Sequence, residues 1–351
     1  MAEPLSPSSS ALRRAHVYRW DLDKTYLRTD FDTLKALVRT AFEGAERKQA
    51  VPGAAALLRE LRAGGARICF VSGSPRQMRR VLTKKLRLDG VEFDEFILKP
   101  NLRNMLTGRF RAMREQVGYK LPALLSGRAG VPESFHESCF GDDAEADGFI
   151  YSLYADLIAG RVDRPLLQKI LAGAGVYPDA VARTLALADA IPRAEAVNRI
   201  FIHLDRLSPT ARFDRYGPRL VPIFNYFQAA LVLYEDGDLT AHSVVRVVFE
   251  MIERFDYKLD ALRNSLQDLL RRGRLSRETP RKLGIEIEKE RVPQLGTLPD
   301  AREILAQFAS RVTELGETPA YSRPSNQPVD YLAAMEVDLP RKGRTRKDIA
   351  P

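Results

Sequence analysis

Two carboxylates two residues apart, Asp21 and Asp23, close the segment His16-Val-Tyr-Arg-Trp-Asp21-Leu-Asp23-Lys-Thr25-Tyr. A carboxylate can attack phosphorus and form an acyl phosphate. A second carboxylate beside it can deliver and remove the proton. Asp21 is therefore the candidate nucleophile and Asp23 the candidate general acid and base, with the Asp23 main-chain carbonyl a candidate metal ligand. Both depend on one element. Val17 to Trp20 reads as a short buried strand, and residues two apart on an extended chain point to one side. If the strand ends near Asp21, the two side chains overhang the crevice at its C-terminal end, where open α/β sheets hold ligands. Taken alone, Asp-x-Asp-x-Thr also fits a capped turn after a strand.

Three further stretches follow in order. Arg67-Ile-Cys-Phe-Val-Ser72-Gly-Ser74-Pro75 predicts a second buried strand running into a helix that Pro75 opens. Such a turn offers backbone N–H groups and the Ser72 hydroxyl to a phosphate. A lysine comes next, either Lys120 in Val-Gly-Tyr-Lys-Leu-Pro or Lys99 in Phe-Ile-Leu-Lys-Pro, and either one could hold the charge shared by nucleophile and phosphate. Last is Ser138-Cys-Phe-Gly141-Asp142-Asp143-Ala-Glu145-Ala-Asp147-Gly. A strand, a glycine and a cluster of carboxylates suit a hard cation held by oxygen. Asp142 is the first ligand, and Asp143 and Asp147 compete for the next position. The same cluster could simply cap the helix starting near Gly148.

The four stretches together resemble the haloacid dehalogenase superfamily of aspartate-nucleophile phosphatases. Asp21, Asp23 and Thr25 match its first motif, Ser72 its second, Lys120 its third, and Asp142 with Asp143 or Asp147 its fourth. The resemblance spans residues 14 to 160. A narrower resemblance is to the actin-patch type of phosphatidate phosphatase catalytic domain. It rests on Val51-Pro52-Gly53, Val71 to Pro75, Leu98-Lys99, Tyr119-Lys120 and Gly141 to Asp147. Gly73 stands where that family has asparagine, Asp143 where it has serine, and Lys24 where an acid is usual; the catalytic positions are kept.

The resemblance implies an α/β fold: a Rossmannoid parallel sheet with helices on both faces, a small or absent cap, and a helical C-terminal extension. It implies a Mg²⁺-dependent phosphomonoesterase acting through an aspartyl-phosphate, with Asp21, Asp23, Asp142 and Asp143 or Asp147 around the ion. Thr25 and Ser72 would orient nucleophile and phosphate, and Lys120 would hold the charge. Short connectors around the motifs imply an open site suited to a lipid such as phosphatidate, or another bulky phosphomonoester. A nucleic-acid end, a sugar phosphate, a phosphoprotein, or a non-catalytic binding module on the same fold are the alternatives.

The predicted organisation is an arm at 1–13, a catalytic core at 14–160, a helical insertion at 161–195, the rest of the core at 196–235, an amphipathic helical extension at 236–290 and a polar, basic, flexible tail at 291–351. Within it, Thr29 to Lys48, Gln77 to Leu86 and Ala301 to Leu315 read as helices, and Arg199 to Leu204 as the next parallel strand. Residues 219–235 read as one apolar helix and Thr240 to Arg272 as one long amphipathic helix, whose stripe packs on the core or a second copy. At 351 residues the chain can bury a sizeable core. The formal charge is +9, and most of the excess lies at 271–291 and 338–351, which could touch anionic lipid or nucleic acid. No apolar run approaches the ~20 residues of a membrane span, and Met1 to Leu12 has no apolar core of a secretory signal. The expected place is the cytoplasm, or the membrane periphery, with Cys69 and Cys139 reduced and buried in core strands. His16, His136 and His203 are expected to be structural.

Overall fold

The computed structural model describes residues 15–28, 49–99, 109–290, 319–321 and 328–338. The arm at 1–13, the helix expected at Thr29 to Lys48, the connector at 100–108 and most of the 291–351 tail lie outside these residues.

Six strands form one all-parallel sheet in the order β3-β2-β1-β4-β5-β6. They are β1 (His16–Trp20), β2 (Arg67–Pro75), β3 (Glu95–Lys99), β4 (His136–Asp142), β5 (Val197–His203) and β6 (Leu220–Ile223). The order reverses between β1 and β4, the first moving outward through β2 and β3 and the second through β5 and β6. Between two such strands the following loops diverge, and a crevice opens at the C-terminal edge. This is an α/β, Rossmann-like fold with a helical C-terminal part.

Strands buried on both faces read as apolar runs, and alternation sorts their side chains between two cores. Tyr18, Trp20, Phe70, Phe140 and Phe201 enter one core. It is covered by α1 (Ala54–Ala63), α2 (Arg79–Leu88), α7 (Tyr226–Glu235), α8 (Ala241–Phe255), α9 (Leu259–Arg271) and α10 (Glu278–Glu290). Val71, Cys139, Ile200 and Ile202 enter the other. That one is covered by α3 (Arg109–Ala129), α4 (Asp147–Ile158), α5 (Arg164–Gly173), α6 (Pro178–Ala190) and α11 (Tyr331–Asp338). Both cysteines are buried and free.

On the first face the aromatic rings stack in series. Trp20 lies 4.0 Å from Phe140, Phe140 lies 4.6 Å from Phe201, and Tyr226 lies 5.3 Å from Trp20. On the second face the same central strands are tied by charge. Arg19 donates to both Glu137 oxygens at 2.7 and 3.0 Å, and Arg128 and Tyr154 add bonds of 3.2 and 2.6 Å to that carboxylate. Burial alone would raise Glu137's pKa; Arg19, Tyr154 and Arg128 outweigh it and hold the carboxyl below its usual range.

Three expectations need correction. The strand at Ser72 runs on to Pro75, and a 3₁₀ turn at Arg76–Met78 precedes α2, so Pro75 does not itself open an α-helix. Residues 219–235 are not one helix: β6 comes first, and α7 starts after Asn225, whose side chain caps it. Pro222 explains this, because a proline inside a helix removes a hydrogen bond and clashes, whereas an edge strand such as β6 accepts it. The stretch 240–272 is two helices, broken at Asp256 in a left-handed conformation, with Lys258 extended ahead of α9. Neither glycine nor proline marks that break, and the apolar spacing carries across it. Met251, Leu262, Leu266 and Leu269 are all buried in the chain's own core.

Candidate active site

β1 ends at Trp20, and Asp21 follows with its N–H bonded to the Phe140 carbonyl of β4 at 2.8 Å. The first motif is thus fixed across the switch point of the sheet. The loop after it is held from two sides: the Tyr226 hydroxyl donates to the Thr25 carbonyl at 2.5 Å, and His203 Nδ1 lies 2.9 Å from the Lys24 carbonyl. Lys24 has a φ of 60°, so the loop turns sharply there.

Four carboxylates gather at the edge: Asp21, Asp142, Glu145 and Asp147, with one ligand atom from each within 4.8 Å of the others. The Lys120 ammonium sits among them, 2.6 Å from Asp147 Oδ1, 2.8 Å from Glu145 Oε2 and 3.1 Å from Asp21 Oδ1. Burial alone would lower the lysine's pKa; Asp147, Asp21 and Glu145 together outweigh it and hold the ammonium well above the usual range. Burial raises the Asp21 pKa; Lys120 opposes, while Asp147, Glu145 and Asp142 add to the rise. Asp142 is raised by burial and by Glu145 and Asp147, and Asp147 by burial and by Glu145 against Lys120. The centre therefore carries more negative charge than its lysine balances.

The geometry of Asp142 is set locally. Its Oδ1 accepts from the N–H groups of Ala144 at 2.6 Å and Glu145 at 3.1 Å, and Asp147 Oδ2 accepts from the Asp142 N–H at 3.2 Å. Asp142 Oδ2 and both Asp21 oxygens are buried and meet hydrogen-bond geometry with no described residue. Asp21 Oδ1 has its ion pair with Lys120, but Asp21 Oδ2 and Asp142 Oδ2 stay without a hydrogen bond, which is costly for buried carboxylate oxygens unless a cation or substrate completes them. Oxygen donors with excess negative charge fit a hard divalent cation. Gly141 is required at this point, since a Cβ there would lie 2.5 Å from Asp147 Cβ and 2.7 Å from Tyr151 Cε2.

The second motif sits opposite. Ser72 and Ser74 hydroxyls both donate to Asp23 Oδ2, at 3.2 and 2.5 Å, and the Ser74 N–H donates to Ser72 Oγ at 2.9 Å. So Asp21, Lys120, Asp142 and Asp147 meet in one cluster, and Asp23 and Ser72 are joined by a hydrogen bond. The structure leaves two candidates outside the cluster. Asp143 turns away, and its oxygens accept from the N–H groups of Arg206 and Ser208 at 2.8 and 2.9 Å. Lys99 ends β3, the outermost strand on its side of the sheet. Sequence reasoning passed over Glu145 and Ser74, although both lie inside the motifs it quoted. His203 is half-buried, its loss of solvent lowers its pKa, and it braces the Lys24 carbonyl as a structural residue would.

A carboxylate–lysine centre at the switch point of a Rossmann-like sheet defines a class of site suited to phosphoryl chemistry. The comparison with known families agrees. Residues 20–168, less than half of the chain, match the family model described as "Phosphatidate phosphatase APP1, catalytic domain". This similarity supports a phosphatase of APP1-like type. No curated protein matches the chain. Among the described residues no helix is long and apolar enough to cross a membrane.

Proposed function

We propose that the chain is a Mg²⁺-dependent phosphomonoesterase of the haloacid dehalogenase kind, acting on phosphatidate or a similarly bulky phosphomonoester. The observation that carries this reading is Asp21: a buried carboxylate at the end of β1, facing the Lys120 ammonium at 3.1 Å, with neither oxygen hydrogen-bonded among the described residues. The substrate class comes from the family match at residues 20–168.

Asp21 attacks phosphorus in line with the leaving oxygen. Asp23 gives its proton to that oxygen as the P–O bond breaks, leaving a phosphoryl group on Asp21. The Asp23 carboxylate then takes a proton from water, the water oxygen attacks phosphorus, and Asp21 and inorganic phosphate are released. Ser72 and Ser74 hold Asp23 in position, and Thr25 offers a buried hydroxyl with no described partner. Lys120 opposes the rise that burial and the neighbouring carboxylates impose on the Asp21 pKa, and it offsets charge on the transferred group. Asp21, Asp142 and the Asp23 main-chain carbonyl would hold Mg²⁺, with Asp147 and Glu145 in reach, and its charge would let a carboxylate approach an anionic phosphate.

The test is phosphate release from a panel that includes phosphatidate in mixed micelles, sugar phosphates, a phosphopeptide and 5′-phosphorylated DNA, with Mg²⁺ and with chelator. Wild type is expected to be metal-dependent and fastest on phosphatidate. Asp21→Asn is expected to be folded and inactive; turnover above a few per cent of wild type removes Asp21 as nucleophile.

A further inference from the structure

The loop after β5 holds a residue that the catalytic reading does not use. Leu207 is 73% exposed and has a φ of 53°. A branched side chain adopts that left-handed backbone only at a cost. The loop is held there rather than left free. Asp143, buried and next in sequence to Asp142, uses one oxygen on the N–H of Arg206 and the other on the N–H of Ser208. The Leu207 N–H donates to the Leu204 carbonyl at 3.1 Å, and the Leu204 N–H to the Ile223 carbonyl at 2.9 Å. A carboxylate of the fourth motif thus fixes the residues on both sides of an exposed leucine. A single exposed leucine needs no explanation; one strained into place by the active-site loop does.

Its position gives the explanation. All strands are parallel, so Leu207 after β5 and Phe224 after β6, 39% exposed, emerge at the edge where Asp21 and Asp142 lie. Cations lie on the loops at this same edge: Arg206 beside Leu207 and Arg28 and Lys24 after β1, with Asp205 an acid in the same loop as Leu207; Arg28 and Arg206 are exposed and Lys24 is half-buried. Arg28 is near enough to His203 to add to the lowering that burial imposes on that imidazole.

We propose that the 206–208 turn and Phe224 form an interfacial anchor that seats the mouth of the site on an anionic lipid bilayer. Leu207 and Phe224 enter the acyl boundary, while Arg206, Arg28 and Lys24 meet headgroup phosphates. The anchor rests on the phosphatidate reading and specifies its source, a lipid still in the membrane.

The experiment uses the full chain and its Leu207→Asn variant. Asparagine tolerates the left-handed backbone, so the fold is kept and the melting temperature should not fall. Sedimentation with phosphatidylcholine vesicles containing phosphatidate is measured in chelator, where no turnover is expected. Wild type should bind these vesicles and bind pure phosphatidylcholine more weakly. Leu207→Asn should bind about tenfold more weakly than wild type, the loss expected for one leucine side chain left in water. Phe224→Ser should weaken binding in the same direction. Equal binding by wild type and both variants, or no binding by wild type, overturns the anchor. Hydrolysis of short-chain phosphatidate dispersed as monomers separates the two readings. If monomers are hydrolysed equally by all three proteins while only the vesicle assays differ, the anchor stands. If monomers are hydrolysed and vesicles show no difference, the anchor fails and the chemistry survives. If neither form is hydrolysed but vesicle binding still depends on Leu207, the chemistry fails and the anchor survives.

Discussion

Replacing Lys120 with methionine removes the ammonium that Asp147, Glu145 and Asp21 share at 2.6, 2.8 and 3.1 Å. Methionine keeps an unbranched stem and takes away the charge. With Asp142, the four carboxylates then face one another at a formal charge of four negatives instead of three. Stripping one partner from a buried ion pair costs about 3–5 kcal/mol, because the remaining charge is left without compensation. The carboxyls can escape that cost by taking up protons. Asp21, Asp142 and Asp147 already have raised pKa values from burial, and Lys120 opposes the rise in each, helped at Asp142 and Asp147 by backbone N–H groups. Carboxyls that hold protons more tightly folded than unfolded make stability fall as pH rises through their folded pKa. Removing Lys120 moves that fall to higher pH. The expected loss is therefore largest near pH 8 and shrinks toward about pH 5. Mg²⁺ should restore part of it, about 2.7 kcal/mol at a hundredfold excess over its dissociation constant. The assay is urea unfolding followed by Trp20, which is the chain's single tryptophan and lies buried one residue before Asp21. It is run across this pH range in chelator and then in Mg²⁺. A loss under about 1 kcal/mol at pH 8 in chelator, within the range of an exposed pair, would refute Lys120 as the balancing charge. A loss that does not change with pH would refute the protonation argument.

Two more outcomes follow from the same geometry. Gly141→Ala forces a methyl to 2.5 Å from the Asp147 side chain, so it should destabilise by about 1–3 kcal/mol and abolish metal-dependent turnover. Thermal unfolding and phosphate release check it, and wild-type activity in the variant contradicts the packing. Glu137→Gln leaves Arg19 and Arg128 without their counter-charge and should cost about 3 kcal/mol at neutral pH. Glu137's carboxyl is held below its usual range, so its contribution is present above the ordinary carboxylate pKa and lost as pH falls through the depressed value. The variant should accordingly lose stability less steeply on acidification than wild type, as read from unfolding curves at falling pH.

Much of this centre was legible because its residues lie at the ends of apolar runs. Val17 to Trp20 and Ile68 to Val71 are short, continuous and followed by polar residues, as strands buried on both faces must be. Asp21 and Asp142 then followed from position, while the choice of Lys120 over Lys99 came from the family resemblance. Other features were hidden for physical reasons. Asp143 has the same chemistry as Asp142, and only the return of the chain at Arg206 and Ser208 decides that it clamps backbone instead. The break at Asp256 leaves no trace in a stripe that stays in phase on both sides. β6 was masked by the apolar residues of α7, although Pro222 carried the signal. The Arg19–Glu137 bond could not be anticipated, since it depends on β1 and β4 becoming neighbours.

That bond also bears on the order in which the protein is made. Arg19 and Glu137 are 118 residues apart, and so β1 remains without its inner neighbour until β4 leaves the ribosome. Pairings this distant form slowly and leave strand edges open to wrong partners. A nascent chain ending before His136 carries Asp21 and Lys120, one charge of each sign. Asp142, Glu145 and Asp147 arrive only afterwards, and with them the surplus negative charge. The repulsive half of the centre is thus synthesised last, onto a scaffold that already holds its lysine, and a metal ion captured at that moment would help to close the sheet.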